Sequence, residues 1–94
     1  MMIVAIGTFE MSFPEANSLK EKRQILRSIK DRVRAKFNAS IAEVDNNDDW
    51  NRGTIGVSVV ANDKVYLEKV ATKIDALIAD YSESEIIDTY WDYV

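Results

Sequence analysis

Two stretches of this chain repeat apolar residues at helical spacing, and each lies between β-forming runs. Residues 2–11 carry Ile3, Val4, Ile6, Thr8 and Phe9 without a breaker, which suits a strand. The only proline, Pro14, turns the chain between Ser12 and Asn17. Ser18 with Glu21 three residues on forms a capping box and starts a helix. Leu19, Ile25, Leu26, Ile29, Val33 and Phe37 then gather in an arc of roughly 120°. Asn38, just past the last turn, is expected to cap the C-terminus. Residues 39–45 read as a second strand, 46–53 as a polar turn and 54–61 as a valine-rich third strand. Asn62 or Asp63 opens a second helix reaching about Tyr81. Its apolar face would be Tyr66, Leu67, Val70, Ala71, Ile74, Leu77, Ile78 and Tyr81, with Glu68, Lys69, Thr72 and Asp75 opposite. A last strand covers 85–93.

The order β-α-β-β-α-β leaves few architectures. Right-handed crossovers put both helices on one face of a four-stranded antiparallel sheet, an α+β, ferredoxin-like βαββαβ two-layer sandwich. One such domain accounts for residues 1–94. The sheet's other face stays open. Ile3, Val4, Ala5 and Ile6 run consecutively, and Val57, Val59 and Val60 crowd the third strand, so both faces are expected to be apolar. A homodimer or higher homo-oligomer, formed through the open sheet face or an edge strand, would bury the second face.

Several function classes lose their chemistry. With no cysteine and no histidine, disulfides, thiol catalysis and the usual zinc ligands are missing. No catalytic constellation, metal site or cofactor motif is found, so an enzyme is not expected. No long uncharged apolar run suggests a membrane span, and the start lacks a basic leader; a cytoplasmic protein is expected.

Charge is unevenly placed. The formal net charge is −4, yet residues 18–36 hold eight basic and two acidic side chains, a local +6 against −10 elsewhere. Lys20, Arg23, Arg27, Lys30 and Arg34 recur every three or four residues, which aligns them in a strip about 80° wide beside the apolar arc. Such a row can follow nucleic-acid phosphates or meet an acidic protein. The ordinary alternative is a solvated face whose stems cover core edges, neutralised by the second helix or by Glu10 and Asp45.

The run Ser18-Leu19-Lys20-Glu21-Lys22-Arg23, the segment Lys36 to Asp45 ending in Glu43-Val44-Asp45, Trp50, and the run Ile55 to Asp63 resemble the YlxP-like family of small bacterial proteins. The resemblance spans nearly the whole chain and implies a ferredoxin-like fold. Asn17 departs from it, since a histidine is typical there. Genes of the family tend to sit beside those of translation initiation and ribosome-binding factors. That implies a partner in ribosomal RNA or a ribosome-associated protein.

Sharper readings fail on particular residues. An RNA-recognition motif needs stacking aromatics on the third strand, and Arg52-Gly53-Thr54-Ile55-Gly56-Val57 supplies none. A phosphate-cradling acylphosphatase would need an arginine between Glu10 and Asn17, where no basic residue occurs. Asp45, Asn47 and Asp49 alternate like the start of a calcium loop, but Trp50 and Gly56 stand where glycine and glutamate are required. Trp50 and Arg52 suit base stacking or a protein contact. On the last strand, Trp91 and Tyr93 share a face and Tyr90 points away. The expectation is a non-enzymatic binding protein that uses Lys20, Arg23, Arg27, Lys30 and Arg34 on RNA or a ribosomal partner, with Trp50 and Arg52 as specificity elements. A homo-oligomeric adaptor for an acidic protein is the alternative.

Overall fold

Strand β1 (Ile3–Ser12) leads through helix α1 (Leu19–Lys36) to β2 (Ala39–Asp45) and β3 (Arg52–Ala61); helix α2 (Lys64–Ala79) then leads to β4 (Glu85–Tyr93). The computed structural model describes residues 1–94. All pairings are antiparallel, and the sheet order is β2-β3-β1-β4. This is the ferredoxin-like arrangement expected from the periodicities. β2 and β4 are therefore the two edges.

Pleat and register sort the side chains. Ala5, Gly7, Phe9 and Met11 of β1 lie beside Val59, Val57, Ile55 and Gly53 of β3 on the helix side. With Leu26, Ile29 and Val33 of α1 and Leu67, Ile74 and Ile78 of α2 they form one buried core. Trp91 and Tyr93 enter that core from β4, while Tyr90 is exposed on the other side. Trp91 stands edge-on to Phe9, with ring centroids 5.8 Å apart. Gly7 makes room for the indole, since a Cβ there would lie 2.7 Å from the ring. Gly7→Ala is expected to destabilise the fold by about 1–3 kcal/mol through overpacking, read as a fall in the urea midpoint at constant m-value.

The same alternation corrects the expectation of two apolar faces. The consecutive Ile3 to Ile6 run divides between sides, sending Val4 and Ile6 to the open face. There they meet Val60 and Val44, but also Thr8, Glu10, Thr54, Ser58 and Ser40. The open face is mixed.

Helix ends differ in part from expectation. Glu21 N–H donates to Ser18 Oγ (3.1 Å), which is one half of the expected capping box, while the Glu21 carboxylate accepts from the N–H of Asn17, one residue before the cap, and not from that of Ser18. Asn38 is not the cap. The cap is Phe37, already extended (φ −131), because the chain enters β2 two residues later. α2 ends at Ala79, and Tyr81 beyond it donates its hydroxyl to the Ser28 carbonyl (2.9 Å), tying the helices together. β3 begins at Arg52, two residues earlier than expected.

Two α2 assignments are also overturned. Tyr66 is exposed. Asp75 does not face solvent: it is half-buried and accepts from Trp91 Nε1 at 2.8 Å. Burial pushes its carboxyl up from the usual range, against the lowering effect of the indole hydrogen bond. An acid whose folded pKa is raised lends stability that is complete below its unfolded pKa and lost as pH rises through the folded one. Asp75→Asn keeps an acceptor for the indole without the buried charge. It is expected to raise Tm at pH 7 and leave it unchanged near pH 3, as measured by calorimetry at both values.

Candidate nucleic-acid interface

The basic strip follows from where α1 points its stripe. Leu26, Ile29 and Val33 bury against the sheet, so the flank carrying Lys30, Arg23, Arg34, Arg27 and Lys20 turns towards the β2 edge. Lys20, Arg23, Arg27 and Arg34 are exposed and Lys30 is half-buried. None of the five forms an ion pair; the chain's one salt bridge lies elsewhere. Nor do Glu10 and Asp45 neutralise the strip. Glu10 accepts from Thr54 Oγ1 (3.1 Å), and Asp45 accepts from the Asn46 backbone N–H (2.8 Å).

Arg23, Arg27 and Lys30 line one wall of a groove of about 380 Å³, with Leu26 at its base and Ala42, Glu43 and Asn47 opposite. Lys20 and Arg34 stand at the ends of the strip. Arg34 is partly committed, since its guanidinium donates to the Ile41 carbonyl at 3.0 Å and caps an outward-facing group of the edge strand. At the start of the other flank of α1, Glu21 lies beside Glu15 and Glu83, and further along it Arg32 and Lys36 lie near Lys73 of α2.

Beyond the groove lies the β2–β3 turn, and its organiser is a residue that sequence reasoning passed over. Lys22 is completely buried. Its ammonium donates to the backbone carbonyls of Asn46 (2.9 Å), Arg52 (2.8 Å) and Asp49. Glu43 Oε2 lies 2.8 Å from the same nitrogen as an ion-pair partner and accepts no hydrogen bond. Asn46 turns its carbonyl inward by adopting φ 60, which asparagine tolerates. Its side chain donates to Thr54 Oγ1 (2.9 Å) and pins the turn to the open face. A signal for Lys22 existed: it shares the spacing of Leu26, Ile29 and Val33 and so sits inside the apolar arc.

Trp50 sits on this turn, and Arg52 ends it as the first residue of β3. Trp50 is 47 % exposed, and Arg52 is exposed while its carbonyl holds Lys22. The two are not stacked together. The cation–π contacts are Arg32 over Tyr81 and Lys64 over Tyr93. The alternating Asp45, Asn47 and Asp49 do not converge as carboxylate ligands. Asp49 offers its carbonyl, and the converging oxygens already enclose an ammonium.

Fold and site together define a ferredoxin-like α+β sandwich with an unpaired cationic helix flank beside a clamped turn. A family model described as "Protein of unknown function (DUF503)" matches residues 4–91, and the chain belongs to that family. It is 40% identical over 91 residues to the uncharacterized protein YlxP of Bacillus subtilis (strain 168), covering 95% of this chain and 99% of that one. Among solved structures it is similar to a C-terminal segment of the alpha subunit of aIF2 from Pyrococcus abyssi. The TM-score is 0.55 at 17% identity, over 96% of this chain. The chain spans about half (49%) of that segment's length, and the likeness concerns the fold. Two of the stretches that carry the YlxP-like resemblance, Ser18–Arg23 and Lys36–Asp45, meet in space at the Lys22–Glu43 pair.

Proposed function

We propose that this protein is a non-enzymatic RNA-binding module, acting on ribosomal RNA, that docks on the phosphodiester backbone through the outer flank of α1. The observation that carries the reading is the absence of any carboxylate partner for Lys20, Arg23, Arg27, Lys30 and Arg34 on a protein of net charge −4. Over fourteen residues of helix the strip runs about 21 Å. Cations left unpaired on an anionic body keep their field for a ligand, and phosphate is the anion that guanidinium groups chelate best.

Arg34 also favours RNA over an acidic peptide. An extended peptide would add to the β2 edge, and the Ile41 carbonyl needed for that ladder already accepts from Arg34. Phosphate contacts by side chains need no free edge. In this reading Trp50 offers a base its indole face at the end of the groove.

Fluorescence anisotropy with a labelled oligouridylate tests the proposal. Affinity should fall with salt at a log–log slope of about −0.7 per phosphate contacted, near −3.5 if all five cations engage. No binding at about 50 mM salt, or a slope near zero, would remove the reading. Trp50→Ala is expected to weaken binding about five- to hundredfold while leaving that slope unchanged, as stacking carries no counterion release.

A further inference from the structure

We infer that Lys22 is a positioning residue, the fixed cation around which the Asn46–Arg52 turn is wound, and that it sets Trp50 in register with the cations of the groove. The functional half of this inference rests on the RNA reading above; the structural half does not. Three carbonyls of one turn, spaced three residues apart, converge on a single nitrogen, and one carboxylate balances its charge. A converging set of oxygens is what a loop presents to a hard metal cation. Here the cation is tethered to α1, next in sequence to Arg23, which lines the groove. Moving the turn relative to the strip therefore means breaking all three of its carbonyl contacts with that ammonium at once.

Trp50 depends on that anchor. It lies between Asp49 and Arg52, two of the three residues held by Lys22. Its indole donates no hydrogen bond and makes no ring–ring or cation–π contact, unlike Trp91, which is fixed by Asp75 and Phe9. Backbone placement alone aims it. Removal of the Lys22 charge should thus release Trp50 while leaving Arg23, Arg27 and Lys30 on their helix.

The test uses the full chain labelled with 5-fluorotryptophan, whose two fluorine resonances are assigned by Trp50→Phe. In Lys22→Met, the Trp50 resonance is expected to move towards that of free indole and the Trp91 resonance to stay. Affinity for oligouridylate should drop about tenfold, the order of one lost base stack, with the salt slope unchanged. In a Trp50→Ala background the same substitution should cost no further affinity. An unmoved Trp50 resonance in folded Lys22→Met overturns the inference. If the parent protein binds no oligouridylate, the RNA reading falls, and the fluorine arm still decides whether Lys22 places Trp50. Should Lys22→Met not fold, the parent itself decides. With nitrogen-labelled lysine, the Lys22 ammonium protons should persist at neutral pH while those of Lys20 and Lys30 exchange away. Equal exchange for all three would discard the clamp.

Discussion

Reversing Arg23, Arg27 and Lys30 together to glutamate is expected to abolish RNA binding without unfolding the protein. The three heads share one groove wall, and none is used in a salt bridge, so their loss withdraws nothing from the folded state. Five phosphate contacts on a single strand release enough counterions to cost roughly a hundredfold in affinity between 50 and 200 mM salt. Neutralising the three to glutamine should leave two contacts and shrink that loss to about sevenfold. Reversal goes further, since it places three carboxylates against the phosphates. Co-sedimentation with ribosomal subunits and anisotropy with oligouridylate read the result. Full binding by a folded triple variant would mean that the strip is not the contact surface.

Replacing Lys22 with alanine should produce the largest stability change of any single lysine. The side chain is fully buried, and its loss leaves a carboxylate and three carbonyls around an empty position. Removing one partner of a buried ion pair costs about 3–5 kcal/mol. Domains of this size have total stabilities of about 5–15 kcal/mol. At about 4–8 °C per kcal/mol, Tm should fall by about 12–40 °C. Lys20→Ala and Lys36→Ala, at exposed positions on the same helix, are the controls and should shift Tm by no more than a few degrees. A fall of similar size in all three would deny Lys22 its special place. The Glu43→Gln variant should lose less than Lys22→Ala, because the ammonium keeps its three carbonyls.

Why the strip was legible and the clamp was not is a matter of range. The spacing of Lys20, Arg23, Arg27, Lys30 and Arg34 fixes their common flank as soon as the segment is helical, because helix geometry is set within one turn. The apolar arc of α1, the Ser18 cap and the order of strands and helices are local or nearly so. Lys22 looked like one of eight basic residues in that helix. Its position inside the arc marked it as anomalous, but its partners lie 24 to 30 residues away on a turn whose path no local rule gives. Asp75 repeats the lesson on α2, where its partner Trp91 comes from the far strand β4. Trp50 lies on the polar turn as its sequence indicated, whereas Arg52, read as part of that turn, opens β3, because pairing with Ser12 of β1 extends the ladder that far.

Alternation and helical period together sufficed to specify six elements, their order and the layer each would join, since those depend on neighbours within a few residues. Pairing decided the rest. Which cation is buried, which remain free in water, and which carboxylate compensates are set by contacts between segments brought together only when the sheet closes. A charge alone in the sequence acquires its meaning from what the fold places within about 3 Å of it.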